Sequence, residues 1–326
     1  MKRILVIQTA SIGDVVLATS VLETLHRDYP EVLLDVLVKE GNETLFDNHP
    51  FLHNVFVWCK RRHKYVNLLK LIKVIRQQNY DLVLNLQRFA SSGLLTVLSK
   101  AKKTRGFSKN PLSVFFSKRY EHRISKTEFT HEITRNGVLI ADFCKSPVEK
   151  PKLYPCYEDL SQPKQETYYT FSPSSLWKTK QMPLDKWIEL AKAASAKGKV
   201  YLLGGKADFE LCESIIMAAK VDNAENLCGK MSLLQSAALM KGAKMNFTND
   251  SAPLHLCSAV NASVTAVFCS TVGEFGFTPL SDDSCIVQTH TWLKCRPCNL
   301  HGFNRCPEQN FACGNTIDIR DLIARL

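Results

Sequence analysis

Short, uninterrupted apolar runs, each followed by a stretch of helical periodicity, recur along this chain and restrict what it can fold into. The first is ILVI at 4–7, followed by QTASIGDVVLATSVLETL at 8–25. Runs at 4–8, 33–38, 81–85 and 103–107 read as strands, with helical patterns at 15–27, 65–77 and 90–98 between them. Apolar runs without alternation are expected where helices cover both faces of a parallel sheet. A second series follows, with strands at 168–172, 200–203, 245–248 and 264–268 and helices at 184–194, 208–219, 233–240 and 252–260. Between the two series, residues 145–166 carry four prolines and little periodicity, which is linker composition. The pattern predicts an α/β chain of two doubly wound, Rossmann-like domains facing across a cleft. Residues 1–150 form the first domain, 151–166 the linker and 167–326 the second domain.

A length of 326 residues suits two domains, and 45% hydrophobic with 22% charged residues suits packed cores. No apolar run approaches the roughly 18–20 residues that span a bilayer. The start MKRILVIQTA has too short an apolar stretch and no small-residue cleavage site for a signal peptide, so a cytoplasmic location is expected. Eight of the twelve cysteines are scattered (59, 144, 156, 212, 228, 257, 269 and 285), as reduced and mostly buried thiols would be.

Charge is unevenly placed. Residues 1–150 hold 24 Lys and Arg against 14 Asp and Glu, whereas residues 151–326 hold 18 against 17. Runs at 60–64, 100–105 and 118–123 carry much of that excess, Arg61, Arg62, Lys102, Lys103 and Arg119 among them. A basic half implies an anionic partner: nucleic acid, an acidic membrane surface or an acidic substrate. Nucleic acid is disfavoured, because no recognition motif appears and the runs lack interleaved aromatics on strands. Neither G-x-G-x-x-G nor G-x-x-x-x-G-K-[ST] occurs, which argues against a dehydrogenase or a P-loop NTPase.

Three stretches can carry chemistry. In Ser11-Ile12-Gly13-Asp14 the carboxylate stands where a strand turns into a helix. Asp14 can cap that helix or, kept ionised by the helix dipole and basic neighbours, accept a proton; the two roles are compatible. The loop 172–187, SPSSLWKTKQMPLDKW, offers Ser175, Trp177, Thr179 and Lys180, hydroxyls and a cation suited to a phosphorylated ligand. In 249–260, NDSAPLHLCSAV, Asp250 and Ser251 end a strand and open a helix whose free amides favour anions, with His255 one turn further on.

These stretches in this order resemble glycosyltransferase family 9, the ADP-heptose:lipopolysaccharide heptosyltransferases. The matching residues are Gly13, Asp14 and Thr19, then S-x-W-x-T-K from Ser175 to Lys180, D-S-x-x-x-H-L from Asp250 to Leu256, and FCSTVGEFGFTPLSD at 268–282. The resemblance implies the GT-B fold, with the acceptor held mainly by the first domain and the nucleotide sugar by the second. It implies Asp14 as catalytic base, Lys180 as a diphosphate contact, and Asp250, Ser251 and His255 as donor-site residues. The chain departs from the family pattern at Ser20, Ser174 and Met182, where proline, glycine and tryptophan are usual; the last two bear on the donor's grip.

The expected reaction is an inverting transfer of heptose from ADP-heptose to the inner core of lipopolysaccharide. Asp14 takes the acceptor proton. No Asp-x-Asp triplet for a catalytic metal occurs, so stabilising the departing ADP falls to Lys180, Ser175, Thr179 and the helix start at Ser251 and Ala252. No cofactor is then required for catalysis. The basic half is expected to meet an anionic core lipid at the cytoplasmic face of the inner membrane, with the protein peripheral there. Rival readings are a related transferase using another nucleotide sugar or a protein acceptor, and a non-catalytic sugar-nucleotide binder, which the presence of Asp14 disfavours. Finally, Cys295, Cys298, Cys306 and Cys313 form C-x2-C-x7-C-x6-C, spacing that allows a structural Zn or Fe site, with His301 as a competing ligand.

Overall fold

Strand β1 (Arg3–Ile7) is buried from Ile4 to Ile7, so both of its faces are covered, as its unbroken apolar sequence requires. The computed structural model containing it describes residues 1–61, 63–156 and 167–326. The chain divides into two compact units: Met1–Ile124 with Thr130–Tyr154, and Pro155–Leu326 with Ser125–Phe129.

In the first unit β1 leads into α1 (Ile12–Asp28), then β2 (Leu33–Lys39), β3 (Leu52–Trp58), α2 (Lys64–Gln77), β4 (Leu82–Asn85), α3 (Ala90–Leu98), β5 (Lys103–Phe107), β6 (Lys118–Tyr120) and α4 (Glu132–Gly137). All pairings are parallel, in the order β3-β2-β1-β4-β5-β6. Helix α1 buries Val15, Val16, Leu17, Val21, Leu22 and Leu25. At about 1.5–3 kcal/mol for each fully buried aliphatic side chain, this helix is fixed by packing rather than by propensity.

Two strands depart from the sequence reading. Strand β3 is interrupted by His53 and Asn54, which hid it. Both turn toward Asp35, a fully buried carboxylate in β2 that also meets Arg3 Nε at 2.9 Å and the Tyr80 hydroxyl. A buried charge is tolerable only when so surrounded, and the polar residues of β3 supply that requirement. Strand β6, KRY, is a three-residue edge strand with no apolar run to announce it.

The second unit begins with β7 (Tyr168–Ser172) and continues through α5 (Leu184–Ser195), β8 (Lys199–Leu202), α6 (Phe209–Ala219), β9 (Ala224–Asn226), α7 (Leu233–Gly242), β10 (Met245–Asn249), α8 (Ala252–Val260), β11 (Val264–Phe268), β12 (Ser284–Gln288), α9 (Ala312–Asn315) and α10 (Ile319–Ile323). Its sheet is also parallel, ordered β12-β11-β10-β7-β8-β9. The core gathers Tyr169, Phe171, Trp187, Leu190, Val200, Leu202 and Phe247. Met182 lies in the same core, 3% exposed. Strands β9 and β12, absent from the sequence reading, are a short edge strand and a partly exposed one.

Both sheets share one topology. The order runs outward from a central strand, then reverses: the reversal falls between β1 and β4 in the first and between β7 and β10 in the second. In doubly wound sheets ligands bind at the carboxyl edge beside that reversal. Residues 157–166 of the expected linker lie outside the described residues. Among the described residues, no helix is long and apolar enough to cross a membrane.

Candidate active site

Asp14 follows β1, at the reversal of the first sheet. It is not the helix cap: α1 starts at Ile12 with Ser11 as N-cap, and Asp14 is the third helical residue. Its carboxylate accepts the Ser11 backbone N–H at 3.2 Å and the Ser11 hydroxyl, closing a capping box. The helix thus starts three residues earlier than the sequence suggests, where Gly13 reads as the end of the loop. Gly13 is instead buried inside the first turn.

The loop that presents Asp14 is held from several sides. Gln87, beyond β4, donates to the Gln8 side chain, whose oxygen also accepts the Ala10 N–H at 3.3 Å. Asn42 Nδ2 donates to the Ala10 carbonyl at 3.1 Å. Lys60 Nζ lies 2.8 Å from the Thr9 carbonyl and 3.1 Å from its hydroxyl, over the Trp58 ring. Burial, then Lys39 and Lys64, lower the Lys60 ammonium to about 8. Lys60 thus turns toward the loop that presents Asp14, whereas Arg61 is exposed; Arg62 lies outside the described residues. The run was visible in sequence; which of its residues turns inward was not.

The other acceptor candidates stand elsewhere. Lys103 is the first residue of β5, level with Leu82 and Ile4, at the sheet edge opposite Asp14. Lys102 beside it pairs with Asp81 at 2.7 Å. Arg119 lies in edge strand β6 and is exposed.

In the second unit the two central strands bring two of the candidate stretches together. The loop after β7 carries Lys180, and Asp250 follows β10; Lys180 Nζ lies 2.6 Å from Asp250 Oδ2. Both side chains are largely buried, 14% and 7% exposed. Thr271 Oγ1, beyond β11, donates to the same oxygen at 2.6 Å. Thr179 is buried, and its hydroxyl meets Ser270 Oγ at 3.0 Å and accepts the Phe303 N–H at 2.7 Å.

Asn249, the last residue of β10, holds the neighbouring loop. Its side-chain oxygen accepts the Met182 N–H at 2.9 Å, and its amide donates to the Pro173 carbonyl at 2.7 Å. One buried amide therefore ties down both ends of the 173–182 loop that carries Ser175, Thr179 and Lys180. Ser175 is half-buried in that loop, its carbonyl bonded to Gln181 Nε2 at 2.7 Å. Ser174 donates to Asp208 Oδ1 at 2.6 Å, a contact that a glycine there could not make.

Ser251 is the N-cap of α8 and Ala252 its first residue, with Pro253 behind it, so the first amides of the helix open beside Asp250. His255 lies one turn into α8 and is buried, 6% exposed.

The four C-terminal cysteines are free thiols. Burial first, then neighbouring thiols, raise Cys298 and push Cys313 up to about 11. Among the described residues, no group of three or more His, Cys, Asp or Glu is placed to hold a metal ion. The segment that carries Cys295, Cys298, Cys306, Cys313 and His301 also packs on the Lys180 loop.

Two parallel sheets of one topology, one presenting a carboxylate and the other an ammonium and a helix start at their reversals, have the architecture of the GT-B fold. The family model described as Glycosyltransferase family 9 (heptosyltransferase) matches residues 68–301, and the chain belongs to that family. It is 25% identical over 283 residues to lipopolysaccharide heptosyltransferase 3 of Escherichia coli K12, covering 79% of this chain and 80% of that one. It is also 25% identical over 313 residues to lipopolysaccharide heptosyltransferase 1 of Pseudomonas aeruginosa, covering 91% and 86%. The solved structure of the E. coli ADP-heptose LPS heptosyltransferase II superposes with a TM-score of 0.80 at 21% identity, covering 100% of this chain and 97% of that one.

Proposed function

We propose that this glycosyltransferase moves heptose from ADP-heptose to a hydroxyl of the lipopolysaccharide inner core, inverting the anomeric carbon. The observation that carries the reading is the Lys180–Asp250 pair at the reversal of the second sheet, beside the open start of α8. An ammonium and a helix N-terminus side by side favour the two phosphates of a nucleotide diphosphate. ADP-heptose is proposed by analogy with the E. coli ADP-heptose LPS heptosyltransferase II that the chain resembles.

In the reaction the acceptor hydroxyl attacks the anomeric carbon while the bond to the diphosphate breaks. Asp14, oriented by Ser11, takes the hydroxyl proton. Negative charge gathers on the leaving ADP and is met by Lys180, the hydroxyls of Ser175 and Thr179 and the amides at Ser251 and Ala252. Asp250 holds Lys180 in place before the diphosphate arrives. His255 completes the donor side from the first turn of α8.

The acceptor carries carboxylates and phosphates on a lipid, and the basic first unit is suited to it. Helix α2 has no acidic residue in its first turn and exposes Tyr65, Val66 and Leu69 among its lysines, a face that fits an anionic membrane surface. Lys60 and Arg61 open on the same sheet edge as Asp14 and would contact the acceptor. Lys102, Lys103 and Arg119 would add longer-range attraction to that surface at the cytoplasmic face of the inner membrane.

The test is a donor screen. Purified protein is mixed with heptose-less core lipid and, in turn, ADP-heptose, ADP-glucose and UDP-sugars, and product is read by mass spectrometry. Transfer from ADP-heptose above the others is expected. Transfer only from another nucleotide sugar, or only to a protein acceptor, contradicts the reading.

A further inference from the structure

Four consecutive backbone carbonyls, starting at the last residue of β11, are taken up by one segment of the cysteine-rich C-terminal stretch. Arg296 donates Nε to the Cys269 carbonyl at 2.7 Å, and Nη2 to the Phe268 and Thr271 carbonyls at 3.1 and 2.7 Å. The Cys298 N–H takes the remaining one, Ser270, at 3.0 Å. The Gln288 side-chain oxygen accepts from Nη2 at 2.7 Å and steadies the guanidinium from β12.

The turn so held carries two hydroxyls of the donor site. Ser270 meets Thr179, and Thr271 donates to the Asp250 oxygen that Lys180 also contacts. A few residues on, the same segment reaches the opposite wall: Thr179 N–H donates to the Phe303 carbonyl at 3.0 Å, and Phe303 N–H returns to the Thr179 hydroxyl. One strap, 296–303, therefore fastens the turn that carries Thr271 and the loop that carries Lys180.

A guanidinium suits this position. Its donors lie in a rigid planar fork, so one side chain serves several carbonyls at fixed angles; an ammonium on a flexible stem cannot. Removing the fork leaves part-buried carbonyls without partners, and the turn then moves to find others. Thr271 moves with it, and Asp250 loses the bond that orients its carboxylate.

We propose that Arg296 is a positioning residue for the Lys180–Asp250 pair, acting through the 268–271 turn and Thr271. The proposal concerns the geometry of the pair; only its consequence for the donor rests on the reading of Lys180 given above.

The first measurement is the rate at which an N-hydroxysuccinimide acetate ester modifies Lys180, followed by peptide mass spectrometry on full-length protein whose melting temperature is recorded alongside. Wild type sets the slow limit and Asp250→Asn the fast one. Arg296→Met and the milder Arg296→Lys are expected to speed modification of Lys180 by about tenfold, the equivalent of one lost charge-assisted hydrogen bond. Thr271→Val is expected to do the same, and Arg296→Lys to add nothing on that background. Modification as slow as wild type in a folded Arg296→Lys protein overturns the proposal, as does a full additional effect on top of Thr271→Val.

The second measurement is ADP affinity by calorimetry. Arg296→Lys is expected to weaken it while leaving the affinity of Lys180→Ala unchanged. If Lys180→Ala itself binds ADP like wild type, the donor reading of Lys180 fails, and the modification rates still decide the role of Arg296.

Discussion

Lys180 and Asp250 come from loops after two adjacent parallel strands and meet at 2.6 Å with little solvent around them. Neither residue explains the other locally: seventy positions of sequence separate them, and only the sheet order closes the distance. The pair fixes the Lys180 ammonium in place at the edge of the second sheet.

Breaking it from either side should therefore destabilise the protein as well as impair binding. Lys180→Met leaves the Asp250 carboxylate largely buried with only hydrogen-bond partners, at an expected cost of about 2–4 kcal/mol. The double variant Lys180→Met, Asp250→Asn removes both charges and should recover part of that loss. Urea unfolding of the two single variants and the double variant checks this; simple additivity would show that the two charges do not stabilise one another.

Gly302 brings the strap close to the Lys180 loop. Its φ is +81°, and a Cβ there would lie 3.0 Å from Lys180 Cγ and from Thr179 Oγ1. Gly302→Ala is expected to cost about 1–2 kcal/mol through the left-handed backbone alone. It should also weaken ADP binding by displacing Lys180. Thermal melting with ADP titration separates the two effects, and unchanged ADP affinity would mean that the loop absorbs the methyl group.

In the first unit, Glu23 gives a pH dependence whose sign can be worked out. Burial raises its carboxyl to about 7, against the lowering effects of the Tyr154 hydroxyl at 3.0 Å and Lys152, with Glu149 adding to the rise. The folded state then holds the proton more tightly than the unfolded chain. This contribution to stability is full below the ordinary carboxylate value of 4.5 and is lost as pH rises to about 7. Glu23→Gln should remove that slope, giving a protein more stable relative to wild type at pH 8 than at pH 4.5. Melting curves across that range decide it; parallel profiles for the two proteins would remove Glu23 as the cause.

The basic run beside Asp14 should govern attachment to anionic lipid. Reversing Arg61 and Arg62 to Glu is expected to lower binding to vesicles rich in phosphatidylglycerol, with a weaker salt dependence than wild type. Reversing Lys102 and Lys103 should matter less, because Lys103 begins β5 at the opposite sheet edge and Lys102 is engaged with Asp81. Sedimentation with vesicles at two salt concentrations measures both, and equal losses would place the lipid-facing surface elsewhere.

Much of this architecture was legible in the sequence because buried parallel strands leave continuous apolar runs. Strands at 103–107, 168–172 and 264–268 coincide with β5, β7 and β11. What was not legible were the elements whose residues answer to distant partners. Strand β3 carries His53 and Asn54 because Asp35 needs them, and β6 and β9 are short edges defined by pairing rather than by composition.

The site shows the same division. The stretches around Asp14, Lys180 and Asp250 stood out by residue type. The residues that hold them in place, Asn249, Lys60 and Arg296, look like ordinary polar side chains until the fold shows which carbonyls they reach. The cysteine spacing pointed to a metal. The segment also contributes through Arg296, Cys298 N–H and Phe303, which no spacing rule would single out.

As the base of a sugar transfer, Asp14 would do more than close a capping box. The direct measurement is single-turnover transfer from ADP-heptose to heptose-less core lipid by wild type and by Asp14→Asn, with ADP binding and melting temperature determined on the same samples. Asparagine can still accept the Ser11 N–H, so the helix start should survive while proton acceptance is lost. Transfer is expected to fall by about 10²–10⁴-fold in the variant, the range for a lost general base, with ADP affinity unchanged. Transfer by Asp14→Asn at the wild-type rate would return Asp14 to the capping box alone.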